Sequence, residues 1–179
     1  MTEKNKLEIA IEFAFKAHEG QKRKYSGIPY ITHPLAVMEI VSSVDHDEDM
    51  LIAAILHDTV EDTNTTIEDI AYEFGNHVAF LVDALTDISK PSDGNRAIRK
   101  AIDRKRLADA IPRVKTIKLA DLIHNSYSIV NNDPKFAEVY MREKKLLLVA
   151  LNGGDSDLLE QAESIVNNYL LCLQIKQRA

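Results

Sequence analysis

Apolar positions recur at steps of three and four along almost the whole chain, the period of helices that bury one face. Leu7, Ile11, Ala14 and Phe15 set the first stripe, and Gly20 offers it a stop. A polar loop over 20–32 follows, carrying Lys22, Arg23, Lys24, Gly27 and Pro29. Pro34 comes next, where its fixed φ suits a first helical turn, so a second helix is expected over 35–44. Over 48–60 the run Met50-Leu51-Ile52-Ala53-Ala54-Ile55-Leu56 is apolar on nearly all sides, which predicts a centrally buried helix. Thr65 and Glu68 have capping-box spacing for a short helix ending at Gly75. Further helices are expected over 77–85, 95–111, 113–130, 134–151 and 156–174, with breaks at Pro112 and at Asn152-Gly153-Gly154. The non-periodic stretch 87–95 reads as a connector. No alternating β-branched strand, internal repeat or low-complexity linker stands out. The expectation is one all-α domain over 1–179.

Composition narrows this further. A 179-residue chain with 45% hydrophobic residues can build a sizeable core, and six glycines and five prolines are few for a turn-rich β fold. The formal charge of −6 argues against a general nucleic-acid binder, leaving Gln21-Lys22-Arg23-Lys24 as a local basic patch. The polar stretch from Met1 to Lys6 does not read as a signal peptide, and no apolar run approaches the ~20 residues that span a bilayer. A cytoplasmic protein without membrane association is expected. The single Cys172, inside Tyr169-Leu170-Leu171-Cys172-Leu173, is expected to be a buried structural thiol.

The chemistry shows where polar residues interrupt apolar helices, because burying an unpaired charge costs several kcal/mol. After the most hydrophobic run come His57-Asp58, then Glu61-Asp62 four residues later. Positions i and i+4 share a helix face, so His57 is expected near Glu61 and Asp58 near Asp62. In Lys118-Leu119-Ala120-Asp121-Leu122-Ile123-His124-Asn125, Asp121 and Asn125 are again four apart, and in Thr32-His33-Pro34 a histidine opens a helix. His33, His57, Asp58 and Asp121 form a mixed nitrogen and oxygen set suited to Mn²⁺, Fe²⁺ or Zn²⁺. His18 and His46 read as decoration of a helix end and an acidic loop, His77 as support for a helix start, and His124 as support or packing.

Four segments in order carry a resemblance: Ala17-His18-Glu19-Gly20-Gln21-Lys22-Arg23-Lys24; Gly27-Ile28-Pro29-Tyr30-Ile31-Thr32-His33-Pro34; Ala54-Ile55-Leu56-His57-Asp58-Thr59-Val60-Glu61-Asp62-Thr63; and Ile117 through Asn125. Together they resemble the HD superfamily. More narrowly they resemble the (p)ppGpp hydrolase domain of the RelA/SpoT group, in its small stand-alone, metazoan SpoT homologue form. The resemblance implies an HD-domain helical bundle in which His33, His57, Asp58 and Asp121 hold one Mn²⁺. It implies that Glu61 and Asp62 activate water and handle protons, and that Asn125 contacts substrate near the metal. It also implies that Arg23 and Lys24 pack on guanine and meet phosphate, and that Ser128 takes the place of a threonine contacting the nucleotide. Leu122 and Ser126-Tyr127 depart from the family pattern, which commonly has Arg or Lys and then Met-Arg there.

The implied reaction removes the 3′-pyrophosphate of guanosine alarmones, giving GDP or GTP, without the synthetase domain of longer family members. The implied partner is that nucleotide, not a nucleic-acid polymer or a membrane; oligomeric state is left open. Two other readings stand beside it. One keeps the site but changes the substrate, for instance to the 3′-phosphate of NADPH; the other is a nucleotide sensor without catalysis.

Overall fold

The computed structural model describes residues 4–178, with side chains to 177, so Met1, Thr2 and Glu3 of the polar N-terminal stretch lie outside the described residues. Those described form α-helices and one 3₁₀ turn; the only strand-like pairing among them is an isolated bridge between Lys22 and Pro29. The all-α expectation holds. The chain divides into two compact units, 1–87 and 88–179.

In the first unit α1 (Lys6–Ala17), α2 (Thr32–Ser42) and α6 (Asn76–Leu85) surround α3 (Glu48–Leu56), and α5 (Ile67–Phe74) packs on α6. Ile52, Ala53, Ala54, Ile55 and Leu56 of α3 are all fully buried. Each large aliphatic side chain withdrawn from water there contributes about 1.5–3 kcal/mol. Two alanines among them let neighbouring helices approach closely.

The sequence suggested one helix over 48–60, but α3 stops at Leu56 and a one-turn α4 (Thr59–Asp62) follows. Side chains compete for the backbone carbonyls at the break. The His57 ring bonds Ala54 O at 2.8 Å, and Thr59 Oγ1 donates to Leu56 O at 2.7 Å. The predicted capping box is also displaced by one residue. Thr66, not Thr65, caps α5 and exchanges hydrogen bonds with Asp69, while Thr65 instead pairs with Thr63. Gly75 ends α5 as expected, at φ 94°, a backbone conformation that strains any side chain-bearing residue.

In the second unit α8 (Pro112–Asn132), α9 (Pro134–Ala150) and α10 (Ser156–Arg178) pack on one another, and α7 (Arg96–Ala108) lies on α9. Leu122 belongs to this core at 1% exposure, which explains an aliphatic residue at that position. The stretch before α7 is a connector held from below. Buried Asp103 accepts the N–H groups of Ile88 and Ser89 and the Ser89 hydroxyl at 2.8–3.1 Å. A 3₁₀ turn at Pro91–Asp93 completes it. Cys172 is exposed rather than buried. The buried stripe of α10 runs through Leu158, Ala162 and Val166, and helical periodicity carries Cys172 off it.

Candidate metal and nucleotide site

The end of α3 delivers His57 and Asp58, and the first turn of α2 delivers His33. The histidines are 2% and 1% exposed. One donor atom from each of His33, His57 and Asp58 lies within 4.8 Å of the others. Both imidazoles present Nε2 to the same carboxylate oxygen, Asp58 Oδ2, at 3.3 Å from His33 and 3.1 Å from His57. The Ala54 carbonyl can only accept, so the hydrogen bond at 2.8 Å puts the His57 proton on Nδ1. Nε2 is the nitrogen left to face the cluster, the one a metal ion would take on an imidazole steered by its backbone partner. Two imidazoles and a carboxylate fit a divalent transition ion.

Tyr30 completes this side of the site, and the sequence reading passed over it. Its hydroxyl donates to Asp58 Oδ2 at 2.7 Å, and its ring stands 5.9 Å from that of His33. Burial and the neighbouring Asp58 charge push the phenol well above its ordinary pKa, so it stays a donor. For Asp58, burial works against the charged form. The pull of His57 and His33, through charge and hydrogen bonds, outweighs it and holds the carboxyl well below the usual range.

One turn further, Glu61 and Asp62 are exposed rather than enclosed. Both stand on the short α4, whose Asp62 N–H bonds Asp58 O at 2.9 Å. Glu61 Oε1 accepts the backbone N–H of Asp87. Partial burial of the Asp62 carboxyl and the charge of Asp58 raise it above the ordinary carboxylate range. Buried ligands with an open acidic rim are suited to drawing a proton from water beside an ion.

The basic loop is shaped as a tight hairpin. Tyr30 N bonds Gln21 O at 3.0 Å, Arg23 N bonds Ile28 O at 2.9 Å, and Gly27 turns the chain at φ 69°. The Arg23 guanidinium lies 5.6 Å over the Tyr30 ring, and the exposed Lys24 sits 4.8 Å over Tyr25. His18, read from sequence as helix-end decoration, is 3% exposed and packs its ring 4.7 Å from Tyr30. His46 and His77 do stay at the surface. The His46 ring bonds Val44 O, and the His77 ring lies 3.8 Å from Asp49.

In the second unit, Asp121 of α8 is 7% exposed. Its Oδ1 accepts from Asn125 Nδ2 at 2.6 Å and its Oδ2 lies 3.0 Å from Lys118 Nζ. The expected i, i+4 partnership of Asp121 and Asn125 is thus present. Lys118, in the same motif, was not singled out from sequence; it supplies the counter-charge that a buried carboxylate needs. Ser128 and His124 are half-buried on the same helix. Among the described residues, no helix is long and apolar enough to cross a membrane.

Known proteins share this fold. A solved structure, described as a metazoan ortholog of SpoT that hydrolyzes ppGpp and plays a role in starvation responses, superposes with a TM-score of 0.83. It shares 29% identity and covers 94% of this chain and 98% of its own. A guanosine-3′,5′-bis(diphosphate) 3′-pyrophosphohydrolase of Aquifex aeolicus is 45% identical over 123 residues, which is 66% of this chain and 17% of that protein. A GTP pyrophosphokinase of Streptomyces coelicolor is 47% identical over 120 residues, 66% of this chain and 14% of that protein. The chain therefore spans only a small part of the length of these two relatives. The family model for the HD domain matches residues 10–148, most of the sequence, and the chain belongs to the HD domain family.

Proposed function

We propose that this chain removes the 3′-pyrophosphate of ppGpp and pppGpp, releasing GDP or GTP, with one Mn²⁺ held by His33, His57, Asp58 and Asp121. The observation that carries the reading is the pair of buried imidazoles turned on a single Asp58 oxygen, with two carboxylates on the next turn. Three of the ligands rest on that geometry; Asp121 rests on the sequence motif. The substrate class is supported by what the metazoan SpoT ortholog hydrolyzes and by the name of the Aquifex relative.

A divalent ion in such a site lowers the pKa of bound water and takes up charge from a phosphoryl oxygen. The chain's own residues supply the rest. Tyr30 holds the Asp58 carboxylate in place as a ligand. Glu61 and Asp62 divide the proton traffic, one accepting from water and the other donating to the departing oxygen. Arg23 and Lys24 counter the charge of a polyanionic nucleotide that a chain of net charge −6 otherwise repels, and a guanidinium plane such as that of Arg23 can stack on a purine. Asn125 and Ser128 are assigned to the nucleotide by the same motif. In this reading the two units belong to one HD domain working in the cytoplasm on a free nucleotide.

A panel assay tests it. The Mn²⁺-loaded protein is incubated separately with ppGpp, pppGpp, NADPH and GTP, and released pyrophosphate and phosphate are quantified. Pyrophosphate from ppGpp and pppGpp alone is expected. Turnover of NADPH with none of ppGpp would transfer the site to the other substrate, and bound nucleotide without turnover at any pH would make the protein a sensor.

A further inference from the structure

Asp62 is the last residue of a helix only four residues long. One turn of helix is not stable by itself, and its final carbonyls lack helical partners. The direction in which the Glu61 and Asp62 carboxylates point is therefore set by whatever holds that turn's end. Thr63 holds part of it, through its N–H and its hydroxyl on Thr59 O. The Asp62 carbonyl is held from far away in sequence: Gln21 Nε2 donates to it at 2.7 Å.

Gln21 is in turn oriented. Its amide nitrogen faces a carbonyl, so Oε1 is the end turned to His18 Nδ1, 2.8 Å away. Only a protonated Nδ1 can donate there, and Nε2 on the far side of the ring is buried with no hydrogen-bond partner. An unsatisfied buried nitrogen is a cost that a residue serving only to fill space would not carry. The ring's other duty is visible: it stacks on Tyr30, whose hydroxyl bonds Asp58. One hairpin thus reaches both the metal-ligand carboxylate, through Tyr30, and the acid turn, through Gln21.

We propose that Gln21, oriented by the Nδ1–H of His18, is a positioning residue that fixes the Glu61–Asp62 turn for proton transfer. Neither side chain touches the ligand atoms, so the two act on turnover and not on metal retention. The proposal rests on the reading of Glu61 and Asp62 as the acid–base pair.

The test uses the Mn²⁺-loaded full chain with Gln21→Met, which keeps shape and removes the amide, together with His18→Ala and His18→Asn. Asparagine at 18 returns a donor near the Nδ1 position. Since an acid–base pair contributes about 10²–10⁴-fold, loosening it is expected to lower kcat by about 10–100-fold in Gln21→Met and His18→Ala. KM and Mn²⁺ affinity are expected to stay within about twofold, and His18→Asn to recover most of kcat. Amide exchange at Asp62 and Thr63 is expected to speed up by about tenfold in the two impaired variants and not in His18→Asn. Unchanged kcat or unchanged exchange in Gln21→Met overturns the proposal, as does a joint loss of kcat, KM and metal affinity, which marks a purely structural staple. If Gln21→Met does not fold, the His18→Ala and His18→Asn pair decides by the same criteria. Wild type inactive on ppGpp while the exchange pattern holds removes the proposed reaction and leaves the positioning intact.

Discussion

Asp58→Ala is expected to abolish Mn²⁺ binding measured by titration calorimetry and to lower turnover by about 10³-fold or more. The magnitude follows from what a bound ion supplies, several kcal/mol of transition-state charge stabilisation at about 1.4 kcal/mol per decade. The residue-level reason is that one oxygen, Asp58 Oδ2, is the common neighbour of His33 Nε2, His57 Nε2 and the Tyr30 hydroxyl. Its removal leaves two imidazoles 5.2 Å apart between ring centres with no anionic ligand between them. Circular dichroism checks that the helices persist. A folded Asp58→Ala protein with normal Mn²⁺ affinity would refute the assignment of the site.

Glu61→Gln separates chemistry from metal retention. The side chain lies one turn beyond the ligands and is exposed, so Mn²⁺ affinity is expected to change little. The amide keeps an oxygen for the N–H of Asp87 and thus preserves the local backbone. It cannot take a proton, so kcat is expected to fall by about 10²–10⁴-fold with KM nearly unchanged. A variant that loses Mn²⁺ would make Glu61 a ligand, and one that keeps its kcat would remove it from the proton transfer; either is contrary to the account.

Much of this is legible in the sequence. The apolar period fixed the existence and type of the long helices because their buried stripes are long enough to average out exceptions, as α8 and α9 show. The joining of His33, His57 and Asp58 was legible because those residues interrupt strongly apolar surroundings. What escaped was set by side chains competing with the backbone or by position on a helix face. The break at His57–Asp58 depends on His57 and Thr59 taking carbonyls that an uninterrupted helix would use. Thr65 and Thr66 offer equally plausible caps, and only the Asp69 carboxylate chooses between them. Cys172 sits in an apolar run wider than the face α10 buries.

Within the site, Tyr30, Gln21 and His18 were missed for a related reason. They lie in a polar loop and at a helix end, where periodicity carries no information. Their contacts reach 28 residues along the chain for Tyr30 with Asp58 and 41 for Gln21 with Asp62. The one available signal was their place in the segments Ala17-His18-Glu19-Gly20-Gln21 and Gly27-Ile28-Pro29-Tyr30, beside the basic residues that drew notice first. Glu61 and Asp62 were legible as a pair but not as a rim: their exposure follows from the break that turns α4 away from the α3 core.

The central claim is that His33, His57 and Asp58 hold the ion. The direct test is anomalous diffraction at the manganese edge from crystals soaked in Mn²⁺ with a slowly hydrolysed ppGpp analogue. The account predicts a single strong peak about 2.0–2.4 Å from both Nε2 atoms and from an Asp58 carboxylate oxygen, with the 3′-pyrophosphate beside it. A peak elsewhere, with no density for an ion between those three side chains, would contradict it.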